Sequence, residues 1–337
     1  MTAHKLLILG EAYGEEEERA QTPFVGASGR ELTRMLDEAG IRRADCYLTN
    51  VFNLRPRPNN DIENLCGPKT EGVPGREALR AGKYVRNDYA RELARCGTEL
   101  EAIRPNLVLA LGSTAAWFCL GSSGISRIRG TVAGGIYGLK VLPTYHPAAV
   151  LRDWSLRHVT VLDMMKARKQ MEFPEVRRPS RHIWLEPSLE DMERFYAEFL
   201  VPASYISFDI ETFANQITCI GFAPSPQTAI VIPIIDYRKP GNSYWPDAGI
   251  ERLVWDFIRK VLALPQPKVG QNGIYDMRFL WDTYKIPVRN YAEDTMLLHH
   301  ALQPESEKGL GFLGSVYTDE PAWKLMRGKT ATIKRDE

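Results

Sequence analysis

The sequence of 337 residues predicts two α/β domains, the first with a parallel sheet between helices and the second with a mixed sheet. The length exceeds that of one ordinary domain and accommodates two. The first half alternates strand-like apolar runs with helical patterns, as α/β folds do. The second half places three strand-like runs in succession before its next long helix, which favours mixed strand directions.

The first half contains four predicted strands, which are "KLLILG", "DCYLTNVF", "NLVLALG" and "LKVLPTYHP". Helices are predicted for "GRELTRMLDEAG", which ends at Gly40, for "RELARCGTELEAIRP", which Pro105 stops, and for "LDMMKARKQMEF". Connections of this length allow helical crossovers and therefore favour a four-stranded parallel sheet sandwiched by helices. The stretch between Asn60 and Cys96 is rich in Pro, Gly and charge and predicts an irregular surface insertion.

A proline-bearing linker over residues 173–182 is predicted to separate a first domain, residues 1–172, from a second, residues 183–337. The second domain begins with "HIWLEP" and a helix for which Ser188 is the expected N-cap. The strands "YISFDIET", "ITCIGFAP" and "AIVIPII" follow, then the helix "GIERLVWDFIRKVLAL" and the strand "PKVGQNG".

The composition, with 44% hydrophobic and 25% charged residues, is typical of a soluble globular protein. No apolar run approaches the roughly 18 residues needed to span a bilayer, so no membrane partner is expected. The first apolar run leads into a series of glutamates, which indicates a strand rather than a signal peptide. Five scattered cysteines without a CxxC pair favour a reducing, cytoplasmic location.

The net charge of +1 conceals an asymmetry between the two halves. Residues 1–170 carry 24 Lys and Arg against 19 Asp and Glu, whereas residues 171–337 carry 19 against 23. Residues 127–169 hold eight basic and two acidic side chains around His146. A solvated basic face is one interpretation, and a rim that contacts DNA phosphates is the other, which we favour.

Two carboxylates, Asp209 and Glu211, end an apolar predicted strand in "SFDIET". Residues two apart on a strand share a face, so these carboxylates repel each other unless a cation lies between them. Carboxylate oxygens suit Mg²⁺ or Mn²⁺. Alone, the pattern is more typical of a solvated strand end. Asp276 and Asn272 in the later stretch "VGQNGIYDMRFLWD" favour a metal site instead.

The stretches "FDIET" and "NGIYD" resemble the first two motifs of DEDD-type 3′–5′ exonucleases, specifically the proofreading domain of bacteriophage family A DNA polymerases. The resemblance covers residues 181–326 and implies a ribonuclease-H-like fold. It implies Asp209, Glu211 and Asp276 as ligands of Mg²⁺ or Mn²⁺, with Asn272 in substrate binding. A DNA polymerase domain, in cis or in trans, is the implied partner, and a bacterial host cytoplasm is the implied location if the protein is phage-encoded.

The chain departs from that family at the third motif, a Tyr or His four or five residues before a final Asp. Tyr291 and Asp294 are only three apart and align with a non-catalytic segment of the family. No such motif follows before "LMRGKTATIKRDE" ends the sequence. The exonuclease-like domain is therefore expected to be truncated or to have lost its turnover.

A second resemblance covers residues 5–170, within the first domain. The motifs "ILGEAYG", "TPFVGASG", "LTNVFNLRPRPN", "LALGSTAAW" and "PTYHPAAVLR" resemble, in order and spacing, those of family 4 uracil-DNA glycosylases. The resemblance implies a four-stranded parallel sheet with the ligand at the carboxyl ends of its strands. Each motif also follows a predicted strand, which is where α/β sheets bind ligands.

The resemblance assigns roles to particular side chains. Phe24 should stack on a flipped base, and Asn50 should read its Watson–Crick edge. His146 should donate to the pyrimidine oxygen that gains charge as the glycosidic bond breaks. Glu11 should position water or stabilise the sugar cation. Arg152, in the last motif, is expected to bind substrate.

Three departures from family 4 accompany these motifs. Tyr13, expected beside the substrate, stands where the family usually has Pro. Ala12 occupies the position of an acid in family 1 enzymes, so no aspartate base is expected there. Family 4 enzymes hold a [4Fe–4S] cluster with four cysteines, of which Cys96 fits one, while Leu54 replaces another and Cys66 lies in the insertion. We therefore expect no iron–sulfur cluster.

The sequence thus predicts an enzyme that excises uracil from single- or double-stranded DNA, joined to an exonuclease-like domain. The alternative is a non-catalytic module that binds uracil or DNA and docks onto a separate DNA polymerase. The incomplete motif set favours that alternative for the second domain. The set of Glu11, Phe24, Asn50 and His146 favours the enzyme for the first.

Overall fold

The computed structural model describes residues 4–321 of the chain. They divide into two compact units. The first contains the described residues up to Arg178 together with those from Gly311 onward, and the second contains Pro179–Leu310. Within residues 4–321 no helix is long and apolar enough to cross a membrane.

The first unit is built on one five-stranded sheet and a small hairpin. Its strands are β1 (Leu6–Ala12), β2 (Cys46–Phe52), β3 (Cys66–Gly67), β4 (Tyr84–Val85), β5 (Leu107–Leu111), β6 (Ala133–Gly134) and β7 (Lys140–Thr144). Its helices are α1 (Glu15–Ala20), α2 (Ala27–Glu38), α3 (Ala90–Ile103), α4 (Gly112–Leu120), α5 (Ile125–Ile128), α6 (Pro147–Arg152) and α7 (Leu156–Gln170).

The strand order of this sheet is β2-β1-β5-β7-β6. The first four strands are parallel, and β6 adds an antiparallel edge of two residues. The expected four-stranded parallel sheet is therefore confirmed, with one short strand added. Side chains of β1 alternate between two apolar clusters, Leu7 and Leu9 in one and Leu6 and Ile8 in the other. The sheet is thus covered on both faces, as parallel sheets require.

The insertion between Asn60 and Cys96 differs from the expected surface loop. It is irregular, with short 3₁₀ turns and the antiparallel β3–β4 pair. Its apolar side chains are nevertheless buried in the same cluster as Leu7 and Leu9; these are Ile62, Leu65, Cys66, Leu79 and Val85. The Pro, Gly and charge content concealed a minority of apolar residues at irregular spacing, which no periodic pattern could reveal.

The second unit is a mixed sheet with helices. Its strands are β8 (His182–Leu185), β9 (Ile206–Phe213), β10 (Gln216–Ser225), β11 (Thr228–Pro233), β12 (Lys268–Gly270) and β13 (Tyr291–Asp294). Its helices are α8 (Leu189–Phe195), which continues as a wider π-helical turn (Tyr196–Leu200), α9 (Ala248–Leu262), α10 (Ile274–Tyr284) and α11 (Thr295–Leu302). Ser188 caps α8 by accepting a hydrogen bond from the Asp191 amide, as expected.

The strand order in this unit is β13-β12-β9-β10-β11-β8. Strands β9, β10 and β11 form an antiparallel meander. Strands β12 and β8 join the meander in parallel, β12 beside β9 and β8 beside β11, and β13 lies parallel to β12. The predicted mixed sheet is confirmed.

The last described helix, α12 (Leu310–Tyr317), packs on the first unit rather than the second. The buried Arg129 guanidinium donates to the Ser315 hydroxyl at 2.9 Å, and the Lys166 ammonium donates to the Thr318 carbonyl at 2.7 Å. The expected second domain of residues 183–337 is therefore corrected, because the described residues from Gly311 onward belong to the first unit. Residues 322–337, which follow the stretches that resemble the first two exonuclease motifs, lie outside the described part of the chain.

Candidate functional site

A cavity of about 430 Å³ opens at the carboxyl ends of the parallel strands in the first unit. All six residues that the glycosylase resemblance singled out line it; these are Glu11, Tyr13, Phe24, Asn50, His146 and Arg152. Glu11 is the penultimate residue of β1, Asn50 lies near the end of β2, and His146 follows β7. The topology brings them together because parallel strands deliver their carboxyl ends to one edge of the sheet.

Phe24 and Asn50 form one buried wall of the cavity. A methyl group on Gly10 would lie 2.4 Å from the Phe24 ring and 2.2 Å from the Asn50 amide oxygen, so only glycine permits this approach. Phe24 has the left-handed φ of +58°, which is unusual for an aromatic residue. Arg43 fixes this conformation by donating to the carbonyls of Phe24, at 2.8 Å, and Gly29, at 3.1 Å. No pattern in the sequence predicts this role for Arg43.

His146 caps α6 and is held as a neutral hydrogen-bond donor. Its Nδ1 accepts a hydrogen bond from the Ala148 amide at 3.1 Å, which leaves the ring proton on Nε2. Burial lowers the pKa of His146 to about 4, and the nearby charge of Arg152 acts in the same direction. The ring stacks against Phe24 with centroids 6.0 Å apart and 27° between the planes.

Glu11 lines the cavity and accepts a short hydrogen bond from a threonine. The Thr114 hydroxyl, near the start of α4, donates to its carboxylate at 2.5 Å. Burial raises the pKa of Glu11, although this hydrogen bond and the charges of Arg80 and Arg152 act against the rise. Thr114 lies in the motif "LALGSTAAW", but neither its position in the motif nor its residue type predicts a contact with an acid 103 residues earlier in the chain.

The loop after β1 closes the same cavity. The Tyr13 amide donates to the Leu54 carbonyl at 3.1 Å, and the Tyr13 side chain is buried. Glu17 ties two loops together by accepting from the Gly26 amide at 2.7 Å and from the Gly14 amide at 3.2 Å. Tyr13 therefore lies in a loop that hydrogen bonds hold against the cavity, and its side chain forms part of the lining.

The cysteines of the described residues do not fit an iron–sulfur cluster. Cys66, Cys96 and Cys119 lie in one apolar cluster with Leu54 packed against it. Burial raises the pKa of Cys96 to about 12 and that of Cys119 well above its ordinary value. No fourth cysteine of the described residues joins these three side chains, whereas a [4Fe–4S] cluster takes four. Between residues 4 and 321 no three His, Cys, Asp or Glu side chains are placed to hold a metal.

The predicted metal ligands of the second unit lie around β9. Asp209 and Glu211 are exposed and alternate with buried Phe208 and Ile210, so both carboxylates share one face. Asp276, in the first turn of α10, is buried and accepts a hydrogen bond from the Ile210 amide at 3.0 Å. Burial raises the pKa of Asp276, and the charges of Asp294 and Glu211 add to the rise.

Asp209 and Glu211 share one face of β9, and the Asp276 carboxylate reaches the same strand at the Ile210 amide. The charge of Glu211 acts on the pKa of Asp276, so these two carboxylates lie within electrostatic reach of each other. Their convergence on one divalent cation stays a prediction. Their oxygen donors still suit Mg²⁺ or Mn²⁺ in chemical type.

Asn272 and Asp294 shape the turn that leads into α10. Asn272 adopts a left-handed φ of +57°. The Asp294 carboxylate accepts from the amides of Asn272 and Gly273, at 3.1 and 2.9 Å, and from the Tyr291 hydroxyl at 2.7 Å. Burial alone would raise the pKa of Asp294, but these hydrogen bonds hold it below its ordinary value. Tyr291 and Asp294 thus support the turn that positions Asp276.

Comparison with known proteins supports the interpretation of the first unit. The "Uracil DNA glycosylase superfamily" profile matches residues 2–170, about half of the chain. A "Type-4 uracil-DNA glycosylase" of Thermotoga maritima is 35% identical over 49% of this chain and 76% of its own length. One from Archaeoglobus fulgidus is 39% identical over 48% of this chain and 74% of its own length.

Similarity elsewhere is weaker. A "DNA polymerase" of Bacillus phage SP01 is 24% identical over 88% of this chain, which spans about a third (32%) of that polymerase. Solved structures with partial similarity include Brucella melitensis NrnC, with a TM-score of 0.30 and 15% identity over 42% of this chain and 63% of that one. Escherichia coli RNase D gives a TM-score of 0.30 and 12% identity over 41% and 34%. Through residues 2–170, the chain belongs to the uracil DNA glycosylase superfamily.

Proposed function

We propose that this chain removes uracil from DNA by extruding the base into the cavity of the first unit and hydrolysing its glycosidic bond. The observation that carries the proposal is the gathering of Glu11, Phe24, Asn50 and a neutral His146 around one cavity. An enzyme that acts on a single base must extrude it, stack it and hydrogen-bond its edge. This cavity offers a group for each task.

The buried Asn50 amide suits the edge of uracil, because its oxygen accepts from N3–H and its nitrogen donates to O4. Phe24 covers one face of the ring. As the bond between C1′ and N1 breaks, negative charge grows on the pyrimidine ring. The Nε2–H of His146 donates to O2, where part of that charge resides.

Glu11 acts on the sugar side of the same reaction. Its carboxylate stabilises the positive charge that develops at C1′ and orients the water molecule that adds there. No residue at position 12 serves as an acidic base, because Ala12 has no titratable group. The mechanism therefore relies on charge stabilisation more than on strong general-base catalysis.

The test is excision of uracil from an end-labelled oligonucleotide, followed by alkali, in the presence of EDTA. We expect strand breaks at uracil and none in the matched thymine oligonucleotide. His146→Ala should lower the rate by roughly 10²-fold or more, as for loss of a donor to a developing oxyanion. His158→Ala, an exposed histidine on α7 outside the cavity, is the control and should leave the rate unchanged. Wild-type protein that binds uracil DNA without releasing uracil would favour the non-catalytic alternative.

A second function is favoured by the carboxylates of β9. We propose that Asp209, Glu211 and Asp276 bind a divalent cation and that the second unit contacts DNA ends beside a polymerase domain, in cis or in trans. The cation would supply a Lewis acid for phosphodiester hydrolysis. Asp276, held against the Ile210 amide, joins α10 to this strand, and a hydrogen bond between the hydroxyls of Tyr275 and Thr212 joins them a second time.

A further inference from the structure

The insertion between Asn60 and Cys96 is fixed in place by its own packing. Leu79 is 1% exposed and joins the apolar cluster beneath the sheet. The Leu79 amide donates to the Lys83 carbonyl at 2.9 Å, and the Lys83 amide donates back to the Arg80 carbonyl at 2.9 Å. The buried Leu79 side chain therefore fixes the position of the tight turn between residues 80 and 83.

Arg80 and Lys83 stand at the two ends of this turn and share many properties. Both are about half exposed, and both form ion pairs with Glu63. They differ in their relation to the cavity, because Arg80 lines it and Lys83 does not. The insertion thus contributes a cation to the wall of a site whose other walls come from the glycosylase motifs.

Among the described residues that line the cavity, the basic ones with a permanent charge are Arg80 and Arg152. They come from different elements, Arg80 from the insertion and Arg152 from the end of α6. Burial raises the pKa of Glu11, and the charges of these two arginines lower it. Both arginines therefore lie within electrostatic reach of Glu11, at the end of the cavity that would receive the sugar. A flipped nucleotide carries one phosphate on its 5′ side and one on its 3′ side.

We propose that the insertion is a DNA-binding element in which Arg80 contacts a phosphate next to the extruded nucleotide, opposite Arg152. The inference rests on the proposed uracil excision and names part of its substrate interface. Guanidinium groups suit phosphate because they donate two parallel hydrogen bonds. The ion pair with Glu63 is exposed and therefore weak, so Arg80 exchanges it for a phosphate at little cost.

The experiment compares Arg80→Gln with its matched control, Lys83→Gln, in the full chain. Binding to a duplex that contains a non-cleavable 2′-fluoro-deoxyuridine is measured by fluorescence anisotropy over a series of NaCl concentrations. Loss of one phosphate contact should weaken binding and reduce the slope of log K against log salt by about 0.9. Lys83→Gln should keep the wild-type slope. Equal melting temperatures of the two variants exclude a folding defect.

Two results would overturn the inference. A slope for Arg80→Gln equal to that of the wild-type chain would show that Arg80 makes no phosphate contact. A change in kcat and its pH profile with an unchanged salt slope would place Arg80 with Glu11 rather than with DNA. Failure of the wild-type chain to release uracil would refute the proposed function, whereas the salt slopes would still decide the role of Arg80.

Discussion

The buried Thr114 hydroxyl lies 2.5 Å from the Glu11 carboxylate, which lines the cavity. Thr114 is in the first turn of α4, and Glu11 is the penultimate residue of the neighbouring strand β1. The hydrogen bond fixes the direction of the carboxylate and opposes the effect of burial on its pKa. The orientation and the charge state of Glu11 therefore both depend on a residue that is not part of the cavity lining.

Thr114→Val, which keeps the shape but removes the donor, should impair uracil excision. A hydrogen bond to a charged group is worth about 1.5–3 kcal/mol, which corresponds to roughly 10- to 100-fold in kcat/KM. Loss of the donor should raise the pKa of Glu11 further, so the acid limb of the rate profile should move to higher pH. Thr114→Ser should restore both. A lower rate with an unmoved acid limb would mean that Thr114 has only a packing role.

His146 should make the stability of the protein depend on pH. Its pKa of about 4 in the folded state lies below the ordinary value near 6.5 that applies to the unfolded chain. Between those values the unfolded chain binds a proton that the folded chain does not. Stability should therefore be complete above pH 6.5 and fall as the pH drops towards 4, by at most about 1.4 kcal/mol per pH unit.

Urea unfolding at pH 7.5 and pH 5 measures this effect. His146→Gln should lose less stability between the two conditions than the wild-type chain does. The exposed His158→Gln variant should behave as the wild type. An identical loss in all three proteins would show that His146 titrates normally and is not the neutral donor that the mechanism needs.

The sequence was sufficient for the parts of the molecule that depend on periodicity and order. The runs that became β1, β2, β5 and β7 were continuous and apolar, as buried parallel strands are. The cavity followed from them, because Glu11, Asn50 and His146 each come near or after the end of such a strand.

Contacts that join distant positions could not be predicted in this way. Arg43 holds Phe24 across 19 residues, and Thr114 meets Glu11 across 103. Neither contact leaves a periodic trace, because a single side chain satisfies a single acceptor. The burial of apolar side chains in the insertion could not be predicted for a related reason. Its core residues are few, and the Pro, Gly and charged residues between them dominate its composition.

The iron content of the protein is the next test of the site. Cys66, Cys96 and Cys119 lie together among apolar side chains, and no other cysteine of the described residues joins them to complete a set of four ligands. Protein purified anaerobically should be colourless and should contain no stoichiometric iron. A brown preparation whose colour is lost in Cys96→Ser would show that the cysteines had been misread.

Divalent cation binding tests the second unit. Asp209 and Glu211 are neighbours on one face of β9, and their mutual repulsion falls when a cation lies between them. We expect calorimetry to detect binding of Mn²⁺ or Mg²⁺ that Asp209→Ala abolishes. Asp276 has a raised pKa, so protons should compete with the cation and affinity should fall as the pH is lowered. Asp282→Ala, an exposed acid on the same helix as Asp276, is the control and should bind as the wild type does.

Degradation of DNA from its 3′ end by the same protein should be very weak or absent. Hydrolysis by two cations needs a group that orients the attacking water, and residues that act as one unit fail together. The Tyr291 hydroxyl is already committed to the Asp294 carboxylate, which holds the turn before α10. An end-labelled strand incubated with Mn²⁺ measures the rate, and Asp209→Ala gives the background. Rapid degradation that depends on both Asp209 and Asp294 would show that Asp294 belongs to the catalytic set and that its role in the turn is secondary.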